Sequence, residues 1–256
     1  MQNNIFLGLF VGHKIVTLKE VNSTNAFLKH SLSNSAPFAE GTVIMAEKQL
    51  AGRGQTDNAW HSEEGKNLTF SVLLNPKFLD VSKQFELNKA MSLALNDVLA
   101  GYFGDDAKIK WPNDSYIGNK KIAGMLIENV VQGTKIKHAI VGIGLNINQS
   151  EFPESLPYAT SFKKILQNDY DLHAILVEIC AAIEARYLQL RAGKYDLLHA
   201  EYLKTLYQYN TVNTYKFDGV VQNGKICGIS KEGFLQVETD KGQREFSIKE
   251  IEFLKT

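Results

Sequence analysis

Cysteine is nearly missing from this sequence: Cys180 and Cys227 stand far apart among 256 residues. Neither a disulfide framework nor a zinc-type spacing can be built from them, and two scattered thiols fit a reducing cytosol. Net charge is missing too, because Lys+Arg and Asp+Glu both number 28. Nonspecific DNA or RNA binding rests on neutralising many phosphates, so no nucleic-acid partner is expected, although a local anion pocket stays open. The histidines, His13, His30, His61, His138, His173 and His199, are dispersed without metal-ligand spacing. No segment approaches the roughly 18 continuous apolar residues of a membrane span. Residues 1–30 carry Lys14, Lys19 and Glu20 within short apolar runs and lack the shape of a signal peptide. No membrane partner and a cytoplasmic location are therefore expected. Internal repeats and low-complexity segments are absent as well.

What is present suits a globular fold. The apolar fraction of 44% is ordinary and allows a sizeable core. Ile15 to Glu20 reads as a short strand, ending at Val21. Asn22-Ser23-Thr24-Asn25 then offers helix caps before the apolar Ala26-Phe27-Leu28. Thr42 to Glu47 and Leu68 to Leu74 read as strands, separated by a polar loop over 48–66 with Gly52, Gly54 and Gly65. Loops that long are usually functional or disordered. Ser82 to Tyr102 has helical periodicity, with Phe85, Ala90, Leu93, Leu95, Val98 and Leu99 as a core face. Strand-like runs follow at 109–111, 122–131 and 139–147, then helices over 171–191 and 194–207. Strands and helices without regular βαβ alternation predict an α+β fold with a mixed sheet.

The pattern changes after about residue 209. Short alternating runs, Val212–Phe217, Val220–Ile229, Phe234–Glu238 and Arg244–Ile248, are separated by Asp218-Gly219, Asn223-Gly224, Glu232-Gly233 and Lys241-Gly242. Such spacing of turns predicts a small all-β module, a barrel. The expected domains are 1–209 and 210–256.

Three segments carry chemistry. In the first, Glu47-Lys48-Gln49-Leu50-Ala51-Gly52-Arg53-Gly54-Gln55 runs on to Trp60-His61-Ser62. Glycines let backbone N–H groups approach an anion, and the arginine adds a cationic fork; a bare Gly-Arg-Gly is otherwise an ordinary surface loop. The second is Lys110-Trp111-Pro112-Asn113-Asp114 with Lys120-Lys121-Ile122-Ala123-Gly124-Met125-Leu126-Ile127-Glu128. A turn and a returning strand can bring Asp114 and Lys121 to one end of a sheet; a hairpin with a solvated lysine pair is the bland alternative. The third is Val141-Gly142-Ile143-Gly144-Leu145-Asn146-Ile147-Asn148. Glycines inside a strand mark close approach of a ligand or another backbone, and Asn146 and Asn148 would share one strand face. No third glycine opens a helix, so this is not a dinucleotide fingerprint.

Together these segments resemble the biotin protein ligase family, from about Ser23 through the C-terminal module. The resemblance implies a class II synthetase-like catalytic domain followed by an SH3-like barrel. It implies activation of biotin by ATP to biotinyl-5′-AMP with Mg²⁺, then transfer to a lysine on the biotin carboxyl carrier domain of a carboxylase. Many bacterial members carry an N-terminal DNA-binding domain; beginning where it does, this chain looks like the monofunctional type.

The resemblance also implies roles. Ser23, Thr24, Asn25 and Gln49 would hydrogen-bond the ureido ring, whose two N–H groups and carbonyl need acceptors and donors, although Ser23 or Asn25 could simply cap a helix. Gly52, with Arg53, belongs to the biotin set. Arg53 and Lys121 would offset repulsion between the biotin carboxylate and the α-phosphate. Asp114 would orient Lys121, hold the metal, or assist the incoming amine. Gly124 would lie beneath the biotin tail. Gly54, Gln55, Trp60, Lys110, Asn113 and Asn146 would serve ATP or the adenylate, with Trp60 also readable as a loop anchor. The loop over 48–66 would close to exclude water. It departs from the family in Gln55, Asp57 and Asn58, where basic residues or glycine are common. Two alternatives remain in view: a lipoate or octanoate ligase or transferase of related fold, and a non-catalytic biotin-binding module.

Overall fold

Side-chain alternation along the central strands sorts the core of this protein into two unequal layers. The structure, a computed structural model, describes residues 8–33, 38–54 and 59–254. Its main sheet is built from β1 (Ile15–Val21), β2 (Val43–Gln49), β3 (Leu68–Leu74), β4 (Ala107–Lys110), β5 (Asp114–Ile117), β6 (Lys120–Gln132) and β7 (Lys135–Leu145). The strand order is β1-β2-β3-β7-β6-β5-β4. The β1–β2 pair is parallel and the remaining pairs are antiparallel. The mixed sheet is thus as expected, and β5 is an extra short strand inside what the sequence offered as a turn.

Period-two alternation puts Phe70, Val72, Leu74, Val141, Ile143, Leu145, Ala123 and Met125 into the large core. The helices α2 (Gln84–Phe103), α4 (Leu172–Arg191) and α5 (Tyr195–Thr205) cover that side. The expected core face of α2 is buried, but so are Leu87, Met91 and Ala94, because α4 and α5 wrap the helix. On the opposite side Ile44, Leu73 and Ile140 meet Leu28 of α1 (Thr24–Ser31) in a small second cluster. Ser71, Gly142, Gly144, Gly124, Leu126 and Glu128 alternate onto that thinly covered face, and this leaves room for a cavity. A short helix, α3 (Phe162–Leu166), follows β7, and its ring stacks edge-on with Tyr102, Phe103 and Tyr170. Cys180 is buried in α4; burial first, then Glu184, pushes its thiol up to about 12, which marks it as a core residue and not a nucleophile.

The C-terminal module holds β8 (Val212–Phe217), β9 (Val220–Ile229), β10 (Leu235–Thr239), β11 (Gly242–Phe246) and β12 (Glu252–Phe253), in the order β11-β10-β9-β8-β12. All pairs are antiparallel. The ladder is open: among the described residues no pairing joins β11 to β12, so the expected barrel is an unclosed five-stranded sheet. Asp218 and Gly219 turn with φ of 53° and 73°, as the sequence predicted. Asn223-Gly224 does not turn; it runs within β9, where a Cβ on Gly224 would meet Val237 Cγ1 at 2.7 Å. That glycine serves packing between strands.

The module is fastened to the main sheet through the Lys-Trp-Pro-Asn segment. Trp111 Nε1 donates to Gly233 O at 2.9 Å, and Lys110 Nζ lies 4.9 Å from the Phe253 ring centroid. Tyr202 of α5 donates its hydroxyl to Pro112 O at 2.7 Å.

Candidate active site

A cavity of about 230 Å³ opens on the thinly covered face of the main sheet. Its floor follows from register. Gly142 pairs with Ser71 on one side and Leu126 on the other, and Gly144 pairs with Thr69 and Gly124. Two side chains descend onto these glycines. A Cβ on Gly142 would lie 2.3 Å from Asn25 Oδ1, and one on Gly144 would lie 2.3 Å from Trp60 Cε2. Only glycine leaves space for either contact, which is the close approach the Gly-x-Gly strand suggested.

One end of the cavity is a neutral hydrogen-bonding cluster. Ser23 is the N-cap of α1, with an extended backbone and a long 3.5 Å contact from Ala26 N–H. Thr24 donates its backbone N–H to Gln49 Oε1 at 2.9 Å, with its hydroxyl 3.3 Å from the same oxygen. Ser71 Oγ lies 2.6 Å from both Thr24 Oγ1 and Asn25 Oδ1. Asn25 directs its amide nitrogen to Leu126 O at 3.2 Å and Glu128 Oε2 at 2.9 Å. Its polar atoms are therefore taken up by protein partners, and it braces the wall. Ser71 was not foreseen from sequence; a hydroxyl in the centre of the apolar Leu68–Leu74 strand was the available signal.

The other end is cationic. Lys121 Nζ stands 2.6 Å from Asp114 Oδ1 and 6.0 Å from the Trp60 ring centroid. The main chain of Lys121 is clamped as well, donating to Tyr158 O and accepting from Thr160 N–H. Arg53 lines the cavity and reaches Glu128 Oε2 through Nη2 at 2.9 Å. Gly54, Gly124 and Met125 complete the wall, and Ile248 reaches in from the C-terminal module. Ile248 had no sequence signal, because its approach depends on how the module docks.

Ser23, Thr24, Asn25, Gln49, Arg53, Gly54, Trp60, Asp114, Lys121 and Gly124 all line this one cavity. Four other expected site residues stand off it. Gly52 lies behind the wall, its carbonyl accepting from Trp60 N–H at 2.9 Å. Lys110 is wedged between the Tyr116 and Phe253 rings, and burial first, then Lys121, lowers its pKa against the pull of Asp114. Asn113 donates to Met125 O at 2.8 Å and is buried. Asn146 donates to Thr160 O at 3.0 Å. The expected shared strand face of Asn146 and Asn148 is not present: β7 ends at Leu145, and Asn148 instead exchanges hydrogen bonds with the Tyr170 backbone. Gln55, Asp57 and Asn58 lie outside the described residues.

Chemically, the cavity joins a donor-and-acceptor end suited to a neutral polar ring with a cationic end suited to an anion. Trp60 Nε1 is buried with no hydrogen-bond partner among the described residues, so a polar ligand atom beside it would be stabilised. No cluster of three or more His, Cys, Asp or Glu able to hold a metal is found among the described residues. Asp114 is already against Lys121, so the donor set fits only a Mg²⁺ that takes most of its oxygens from nucleotide phosphates and water.

Comparison with known proteins converges on one family. Residues 18–146 match the biotin/lipoate A/B protein ligase family, and 213–254 match the biotin protein ligase C-terminal domain. The chain is 30% identical over 251 residues to the bifunctional ligase/repressor BirA of Bacillus subtilis, covering 94% of this chain and 74% of that protein. It is 31% identical over 176 residues to the biotin–[acetyl-CoA-carboxylase] ligase of Mycobacterium tuberculosis, covering 67% of this chain and 63% of that one. Among solved structures, the biotin protein ligase of Aquifex aeolicus in complex with biotin and ATP superposes with a TM-score of 0.79 at 27% identity, covering 95% of this chain and 100% of that one.

Proposed function

The chain belongs to the biotin protein ligase family, and from that premise we propose that it activates biotin with ATP and transfers it to a lysine of a carboxylase. The observation that carries this reading is the single cavity joining the Thr24–Gln49–Ser71 cluster to Arg53 and the Lys121–Asp114 pair. The ureido ring is assigned to the neutral end, with Ser23, Thr24 and Gln49 as readers and Asn25 as their brace. The valeryl carboxylate is assigned to the cationic end.

In the first step a carboxylate oxygen of biotin attacks the α-phosphorus of ATP. The bond to the bridging oxygen breaks, and pyrophosphate leaves with the electron pair. Two anions must meet, so fixed cations at the point of contact lower the barrier. Arg53 and Lys121 hold those charges, and Asp114 orients the lysine. Asp114 would help to hold a nucleotide-borne Mg²⁺, which when bound would supply further neutralisation of phosphate charge. In the second step a neutral lysine amine attacks the acyl carbon of biotinyl-5′-AMP. AMP leaves with the electron pair of the acyl–oxygen bond, and the amine releases its proton.

The acceptor is assigned to the biotin carboxyl carrier domain of a carboxylase, and the domain boundary to 209/210. A cytoplasmic location is supported by two unpaired cysteines; no helix among the described residues is long and apolar enough to cross a membrane. Pyrophosphate release tests the reading. It should require both ATP and biotin, and lipoate or octanoate in place of biotin should leave it at background. Release with lipoate but not biotin would move the protein to the related ligases, and tight biotin binding without release would make it a binding module.

A further inference from the structure

We propose that Glu128 is a positioning residue that holds Arg53 and Asn25 in fixed relation to each other, so that the anion-binding guanidinium is set before ligand arrives. The inference deepens the ligase reading and rests on it. Glu128 lies on β6, on the same face as Gly124 and Leu126. Its carboxylate collects groups from separate segments. Oε2 accepts from Asn25 Nδ2 at 2.9 Å and from Arg53 Nη2 at 2.9 Å, and Oε1 faces Lys29 Nζ at 3.4 Å.

A carboxylate whose side chain is 20% exposed on a sheet face is costly to desolvate unless charged partners meet it. Here the partners are residues of the candidate site. Asn25 is held above Gly142, where nothing but glycine fits. Among the described residues Arg53 is gripped through Nη2 alone, which leaves Nε and Nη1 as donors for a ligand in the cavity that Arg53 lines. Glu128 is not part of the cavity wall; it stands behind both residues. A long arginine side chain loses rotamer freedom when it binds an anion, and a carboxylate that has already restricted it removes part of that loss. Deleting the Glu128 charge would by itself attract an anion. Lys29 and Arg53 already offset that charge, so losing the fixed guanidinium dominates.

Glu128→Gln keeps the size and leaves an acceptor oxygen for Asn25, while removing the charge that holds Arg53. Calorimetric titration should use biotin, whose tail is anionic, and biotinol, whose tail is neutral. The variant should bind biotin about fivefold more weakly and biotinol unchanged. In an Arg53→Met background Glu128→Gln should have no further effect on biotin. Equal losses for both ligands, unchanged or tighter biotin binding, or the same loss in both backgrounds would overturn the assignment. A second arm needs no ligand: the Arg53 guanidinium should give separate Nη signals in ¹⁵N spectra of the full chain and averaged ones in the variant, and identical spectra would also overturn it. A wild-type protein that binds neither biotin nor biotinol sinks the ligase reading, and the spectra then decide Glu128 by themselves.

Discussion

Lys121 Nζ lies 2.6 Å from Asp114 Oδ1 in the wall of the cavity, and the turn at Gly118 and Asn119 between β5 and β6 brings the two together. The lysine ammonium is thereby aimed before any ligand enters. Lys121→Ala should slow biotinyl-AMP formation roughly a hundredfold, the usual cost of about 3 kcal/mol for one preorganised charge contact. Asp114→Asn should cost less, and the double variant should be no slower than Lys121→Ala alone, because the two residues act through one group. Single-turnover adenylation measures all three. Additive losses would mean that Asp114 has a task apart from Lys121.

The two glycines of β7 should respond differently to alanine. Gly142→Ala drives a methyl to 2.3 Å from Asn25 Oδ1, and Asn25 is held by Ser71, Leu126 and Glu128. That wall cannot yield, so a stability loss of about 1–3 kcal/mol is expected. Gly144→Ala meets Trp60, which sits on a loop and can swing away. Its denaturation midpoint should move less, while its tryptophan emission shifts to the red. Equal midpoints would mean that Asn25 is no more rigid than Trp60.

Trp111→Phe removes the indole N–H that satisfies Gly233 O across the contact between sheet and module. A buried carbonyl left without a donor costs about 1–3 kcal/mol. Urea unfolding should show an unfolding free energy lowered by that amount, read as a lower midpoint at unchanged slope. A midpoint within error of the parent would indicate that water takes the place of the indole.

Glu184 gives a pH-dependent signature. Burial pushes its carboxyl up, but backbone N–H groups of Val11, Leu9 and Phe10 outweigh that and hold it below its ordinary value of 4.5. The Phe10 and Val11 contacts are 2.6 and 2.9 Å. A depressed pKa in the folded state contributes stability above the unfolded pKa, and the contribution is lost as pH falls through the folded value. Glu184→Gln should therefore melt lower than the parent at neutral pH, with the gap closing below about pH 4.5. Thermal melts across that range decide it; a gap independent of pH would assign the loss to packing.

The order of chemical segments and their place at strand ends were legible in the sequence. A strand exposes alternate residues by its own backbone geometry, so Gly142 and Gly144 had to share a face wherever β7 lay. Likewise, Ser23 before an apolar helical run had to sit at or near a cap, and Asp114 and Lys121 flank a reversal short enough to close locally. Tertiary structure decided everything that depends on pairing across distance. Glu128 and Asn25 are 103 positions apart, and nothing near either one predicts their contact. Asn146 and Asn148 left the strand pattern because the segment after Leu145 turns to hold Thr160 and Tyr170. Lys110 and Asn113 became packing and bracing groups once the C-terminal module and β6 closed on them. Local sequence sets φ, ψ and period, whereas register, strand order and docking come from the burial of surfaces brought together only when the whole chain has folded.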